Sequence, residues 1–339
     1  MKEVVDVVFR VDESSFVGYG HMSRCVALAN VFRGFDIEVV FICKQIRQNT
    51  KIFLEESGSS VLEIENDDDF FSFDLSKSLV VVDGYQFDEC FWISLITRPM
   101  KCSICIDDRL AIPYYCDYLI CYGEGLRAVQ FNIKRGAKLF LGGRYLLLRP
   151  DVLQASRIEA IPRPRRAVVL AAGGTDQQKW VVTMLAKINK IDPNTPIWIL
   201  SGRRLPSLKV LNSSGLTRDR VRFFSGLSAK EMMRLYRGAQ YMISPASTIM
   251  LEAFLVGCPL ISGWVASNQT NSLNYYDKKG LIINVGSLLD LSDKKLAWAI
   301  KSAKRQSGKM NRRQVNYIGG TKNGVKEMVE TLLLSCRES

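Results

Sequence analysis

The 339-residue sequence contains a single histidine, His21. That scarcity excludes centres built from several imidazoles, so no metal cofactor of that kind is expected. Long apolar runs are missing too. None approaches the ~20 residues that cross a bilayer, and no integral membrane association is expected. The first ten residues run straight into a β-rich stretch, without the basic start and apolar core of a secretion signal. No RNP motif, zinc-finger spacing or basic–aromatic repeat is present, so a nucleic-acid partner is not expected.

What the sequence has in excess is positive charge. Lys and Arg total 46 against 34 Asp and Glu, a formal net charge of +12. This implies an anionic partner without specifying its kind. Eight of the cations fall between Asp293 and Arg313, where Asp293 is the only acid. The segment reads as a surface helix, and a solvated face is its plainest meaning. Apolar residues make up 47%, the composition of an ordinary globular protein rather than a disordered one. The nine cysteines are odd in number and scattered, as in a reduced, cytoplasmic protein. Cys102 and Cys105 have C-x-x-C spacing but lie on an expected strand. Side chains there alternate, so the two would face opposite ways and could not share a metal.

Continuous Val/Ile runs alternate with amphipathic stretches, the signature of parallel sheets covered by helices on both faces. Strands are expected near Val4–Arg10, Ile37–Cys43, Leu79–Asp83, Lys101–Ile106 and Tyr118–Tyr122. The pattern restarts after a Pro/Arg-rich segment at 161–166. Further strands are expected near Ala167–Ala171, Ile197–Leu200, Gln240–Ile243 and Pro259–Ile261. The expected organisation is therefore an N-terminal domain (1–150), a linker (151–166), a C-terminal domain (167–320) and a terminal helix (321–339). Both domains read as doubly wound α/β, in which ligands bind beyond the carboxyl ends of the strands.

Three post-strand loops carry the candidate chemistry. In the first, Arg10 to Arg24, a strand ends near Asp12 and glycines precede His21 at a helix start. The helix N-terminus favours anions and disfavours imidazolium, so His21 is expected to be able to accept a proton. Asp12 lies on the same rim and could hold the ring or a substrate hydroxyl. The second loop contains Gly173, Gly174 and Thr175, which would let phosphate oxygens approach backbone N–H groups; a tight turn is the alternative. It carries neither a Walker sequence nor the three-glycine dinucleotide fingerprint. In the third loop, Ser247 or Thr248 caps a helix that also bears Glu252. That carboxylate either accepts from a ribose diol or is simply solvated. Tyr85 could bond a sugar or phosphate, whereas Asp83 could equally be a turn residue. A fourth polar loop spans Val265 to Asn271.

Together these motifs resemble the nucleotide-sugar hydrolase family of pseudaminic acid biosynthesis. The matching residues include Arg10-x-Asp12, Gly18-x-Gly20-His21-x-x-Arg24-Cys25, Val82-Asp83-x-Tyr85 and Ile106-Asp107-Asp108. Further along they include Gly173-Gly174-Thr175-Asp176, Ser247-Thr248-x-x-x-Glu252 and Asn268-Gln269. Gly84, the stretch through Tyr122, and Ala246 depart from the family pattern. The resemblance implies an α/β fold of the GT-B type, with two Rossmann-like domains facing a cleft, UDP held by the C-terminal domain and a last helix crossing back. It implies hydrolysis of UDP-2,4-diacetamido-2,4,6-trideoxy-β-L-altropyranose or a close relative by water attack at the anomeric carbon, with inversion and without metal. His21 would be the base; Asp12, Gly20, Arg24, Tyr85, Asn268 and Gln269 would bind the substrate. Gly173, Gly174, Thr175, Ser247, Thr248 and Glu252 would bind UDP. A monomer is expected. Two other readings stand beside it: a GT-B glycosyltransferase with its basic segment on a membrane, and a non-catalytic nucleotide-sugar binding protein.

Overall fold

The computed structural model describes residues 6–13, 20–110, 113–158, 164–172, 178–201, 216–321 and 323–338. The chain divides into two compact units, Met1–Arg149 with Thr321–Ser339, and Pro150–Gly320.

Unit 1 begins with β1 (Asp6–Val11), α1 (Gly20–Arg33), β2 (Val39–Cys43), α2 (Gln48–Glu56), β3 (Ser60–Glu63), α3 (Asp67–Phe71) and β4 (Ser78–Asp83). It continues with α4 (Glu89–Ile96), β5 (Cys102–Ile106), β6 (Tyr118–Cys121) and β7 (Lys138–Leu141). The sheet order is β3-β2-β1-β4-β5-β6-β7, with every pairing parallel. Chain direction across the sheet reverses between β1 and β4, the point at which α/β sheets open a crevice. Alternation along β1 sends Val7, Phe9 and Val11 into one buried layer and Val8 into the other. Phe9 stacks on Phe41 at 4.9 Å in the first layer. The same alternation puts Cys102 and Cys105 in opposite layers, as the strand reading requires.

Unit 2 opens with α5 (Pro150–Arg157), where a linker was expected from residue 151. The local sequence explains the helix. Pro150 stands at its first position, Asp151 favours the positive end of its dipole, and Val152 and Ala155 are buried one turn apart. The unit continues with β8 (Ala167–Ala171), α6 (Gln178–Ile191), β9 (Ile197–Leu200), β10 (Val221–Phe224), α7 (Ala229–Gly238) and β11 (Ala239–Pro245). It ends with α8 (Thr248–Phe254), β12 (Leu260–Trp264), α9 (Thr270–Lys278), β13 (Ile283–Ser287) and α10 (Asp293–Thr321). Helix α5 packs on α7, where Arg237 Nη2 donates to the Ser156 carbonyl at 2.7 Å. The sheet order β10-β9-β8-β11-β12-β13 is again all parallel and reverses between β8 and β11.

The last helix, α11 (Gly324–Glu338), belongs to unit 1 and buries Met328, Val329, Leu332 and Leu333 in the layer that holds Phe9. Its first turn lies tight on the chain near Arg144. A Cβ at Gly324 would stand 2.1 Å from the Arg144 carbonyl oxygen, and the Arg144 guanidinium pairs with Glu327. Among the described residues no helix is long and apolar enough to cross a membrane.

Candidate active site

Strand β4 ends in Asp83, at the carboxyl edge beside the β1/β4 reversal point. Helix α1 starts next to it, and helical spacing places His21, Arg24 and Cys25 on one face. All three turn towards Asp83. Its carboxylate accepts from His21 Nδ1 at 2.5 Å, Arg24 Nε at 2.5 Å, Arg24 Nη2 at 2.6 Å and Cys25 Sγ at 3.5 Å. Burial alone would favour the protonated acid. The Arg24 guanidinium and His21 override it, and the Asp83 carboxyl is held down to about 2.

An ionised Asp83 can only accept, so the proton of this bond sits on Nδ1, and Nε2 is the ring nitrogen turned away from the carboxylate. The outcome is a buried Asp–His dyad of the kind that orients a general base and stabilises its cation. His21 is only 4% exposed. The dyad carboxylate is therefore Asp83, not Asp12, which sequence reasoning weighed for holding the ring.

Asp12 has other work. Its Oδ1 accepts from Arg10 Nη1 at 2.8 Å and from the backbone N–H groups of Lys44 and Gln45. Its Oδ2 accepts from Gln86 Nε2 at 3.1 Å. Asp12 thus ties the ends of β1 and β2 to the loop after β4. A Cβ at Gly84 would come within 2.5–2.8 Å of the Gln86 carboxamide, the movable end of a flexible side chain, so a larger residue there would push Gln86 off Asp12.

Arg24, expected to bind substrate, is buried and occupied by Asp83, the Tyr122 hydroxyl and the Ile106 carbonyl. Its guanidinium thus holds the Asp83 carboxylate that accepts from His21. Gly20 is exposed at the helix start, and a Cβ there would meet nothing within 4 Å, so packing does not demand glycine.

Tyr85 stands edge-to-face on the His21 ring, with centroids 4.4 Å apart. Its hydroxyl donates to Asp108 at 2.9 Å, and the Arg109 guanidinium lies over its ring at 3.9 Å. Arg109 is anchored in turn on Asp107 at 3.1 Å. Burial and then Asp108 push the Tyr85 phenol upward, so it remains a donor. Sequence reasoning paired Tyr85 with substrate only. The signal for the clamp was the Asp107-Asp108-Arg109 run directly after a strand.

In unit 2, α8 begins at the edge next to the β8/β11 reversal. Ser247 is its N-cap residue, without a side-chain capping bond. Ser247 and Thr248 are half-buried, and Glu252 is buried further along the helix. Gly173, Gly174 and Thr175 lie outside the described residues. In the loop after β12 the expected pair divides. Gln269 Oε1 accepts from the backbone N–H groups of Val265 and Ala266, which closes the turn, while Asn268 is exposed.

The chain matches no known family profile. It is 23% identical over 282 residues to the UDP-2,4-diacetamido-2,4,6-trideoxy-beta-L-altropyranose hydrolase of Campylobacter jejuni, covering 81% of this chain and 97% of that protein. An uncharacterised protein of Methanocaldococcus jannaschii is 22% identical over 79% of this chain, which spans only 57% of that protein. Among solved structures, a glycosyltransferase from Rickettsia africae matches with TM-score 0.66 at 9% identity over the full length of both chains. Acinetobacter baumannii MurG matches with TM-score 0.60 at 10% identity, covering 97% of this chain and 99% of its own. The fold is that of the GT-B glycosyltransferases, and the sequence is similar to a nucleotide-sugar hydrolase.

Proposed function

We propose that the protein hydrolyses a UDP-linked diacetamido-trideoxy sugar, UDP-2,4-diacetamido-2,4,6-trideoxy-β-L-altropyranose or a close relative, to UDP and the free sugar. The observation that carries this reading is the buried Asp83–His21 dyad at the sheet edge, in a chain with no second imidazole. The similarity to the Campylobacter jejuni hydrolase supports the choice of substrate class.

In this reading His21 Nε2 removes a proton from water as the oxygen attacks the anomeric carbon. The carbon–oxygen bond to UDP breaks, its electron pair leaves on the β-phosphate, and the configuration inverts. Asp83 stabilises the imidazolium that forms. Unit 2 supplies the nucleotide site, with N–H groups at Gly173–Thr175 and at Ser247–Thr248 meeting the diphosphate and Glu252 meeting the ribose. Tyr85 and Asn268 orient the sugar. The reaction needs no metal and takes place in the cytoplasm, where nucleotide sugars are made.

Turnover in ¹⁸O-water tests the chemistry. Label is expected in the sugar; label in UDP would mean attack at phosphorus and would end this proposal. UDP release without any acceptor is expected as well. Strict acceptor dependence would replace hydrolysis with glycosyl transfer, the activity named for solved structures of the same fold such as the glycosyltransferase from Rickettsia africae. Tight UDP binding without turnover would make the protein a binding module.

A further inference from the structure

Helix α10 has a sharply divided surface. Leu296, Ala299, Ile300, Ala303, Met310, Gln314 and Ile318 form its buried side. At about 100° per residue, Lys294, Trp298, Lys301, Arg305, Lys309 and Arg312 fall within a narrow stripe on the opposite side. All six are exposed, and Trp298 is 55% exposed.

Two acids beside this helix, Asp293 and Asp192, are matched by cations outside the stripe. Asp293 pairs with Lys187 and Lys190 of α6, and Lys304, off the stripe, pairs with Asp192. Among the described residues none of the five stripe cations has an ion-pair partner. No acid occurs from Lys294 to Thr321 to offset them.

We infer that this stripe docks unit 2 on an anionic lipid surface, with Trp298 entering the headgroup layer. Charge complementarity selects an anionic partner, because five unpaired cations over about 27 Å of helix attract a negative plane. The tryptophan selects lipid. Trp prefers the membrane interface, and this one occupies the gap between Lys294 and Lys301. The cations then follow at four-, four- and three-residue steps. The helix would lie flat on the surface, its buried side held by the unit 2 core.

The test is co-sedimentation of the full chain with phosphatidylcholine vesicles, with and without phosphatidylglycerol. Binding is expected only with the anionic lipid, and high salt should release it. The double variant Lys301→Glu, Arg305→Glu should bind at least about 20-fold more weakly, since each surface cation near an anionic membrane contributes about fivefold. Trp298→Ser should weaken binding while keeping its salt dependence. Circular dichroism of both variants should match the parent, because the altered side chains are exposed. The inference is overturned if the parent ignores anionic vesicles, or if the double variant binds them equally well. Tighter, stripe-dependent binding to duplex or single-stranded DNA than to vesicles would also overturn it.

Discussion

A chain with one histidine offers an unusually direct view of its candidate base, since every imidazole signal belongs to His21. With histidine-selective ¹⁵N labelling, the spectrum should show a proton on Nδ1, the nitrogen that faces the Asp83 carboxylate. Asp83→Asn removes that constraint. It should lower kcat by about 10²–10⁴ while UDP binding persists, the pattern of a misoriented base. A fully active variant would disconnect the dyad from catalysis. His21→Ala should fall in the same range, because general-base assistance is worth that much. The carboxylate also ties activity to acid stability. Its folded pKa of about 2 lies below the usual value near 3.9, so the stabilisation is complete above pH 4 and disappears as pH falls towards 2. On the order of 2 kcal/mol should be lost over that interval. Urea titrations of parent and Asp83→Asn should therefore differ most near neutrality and converge at low pH.

Among the elements, burial decided what could be read in advance. The central strands β1, β2, β4, β5, β6, β8, β9, β11 and β12 are Val/Ile-rich or otherwise apolar and were recognisable as strands. The four not recognised, β3, β7, β10 and β13, are the edges of the two sheets. Edge strands are covered less completely, so their residues need not be apolar; β3 (Ser-Val-Leu-Glu) has no buried residue at all. The same physics hid part of the site. The sequence places His21 at a helix start, because glycine loops and helix spacing are local. It does not pair His21 with Asp83, which lies 62 residues away and meets it only through parallel strand order. Tyr85 joins through that route too, clamped by Asp108 and Arg109. Arg109→Ala should release the clamp, leaving KM for the nucleotide sugar largely unchanged while kcat falls several-fold. The His21 ring resonances should shift with it, because the two ring centroids lie 4.4 Å apart. Unchanged His21 resonances would show that Arg109 does not act through the tyrosine.

At the scale of the whole molecule the two units differ in how the chain builds them. Unit 2 is continuous from Pro150 to Gly320, whereas unit 1 needs residues from both ends of the sequence. Its closing helix α11 contributes Met328, Val329 and Leu332, each 1% exposed or less, to the layer that also holds Phe9, Phe32 and Phe41. Burying three such side chains contributes roughly 1.5–3 kcal/mol apiece. That sum is comparable with the entire 5–15 kcal/mol stability of a typical domain. A chain ending at Gly320 should therefore lose unit 1 as a cooperative structure and keep unit 2. Calorimetry of the full protein should resolve the unfolding of both units, and the shortened protein should retain only the transition of unit 2. A milder version tests the same packing without removing the helix. Leu332→Ala should cost about 2–5 kcal/mol, the usual range for a buried leucine, and the loss should appear in the unit 1 transition alone. The truncated chain should also lose the Nδ1-protonated His21 signal, because α1 packs directly against α11 and presents His21 to Asp83 from that support. If the signal survives truncation, the dyad is held by α1 and the sheet without the C-terminal helix.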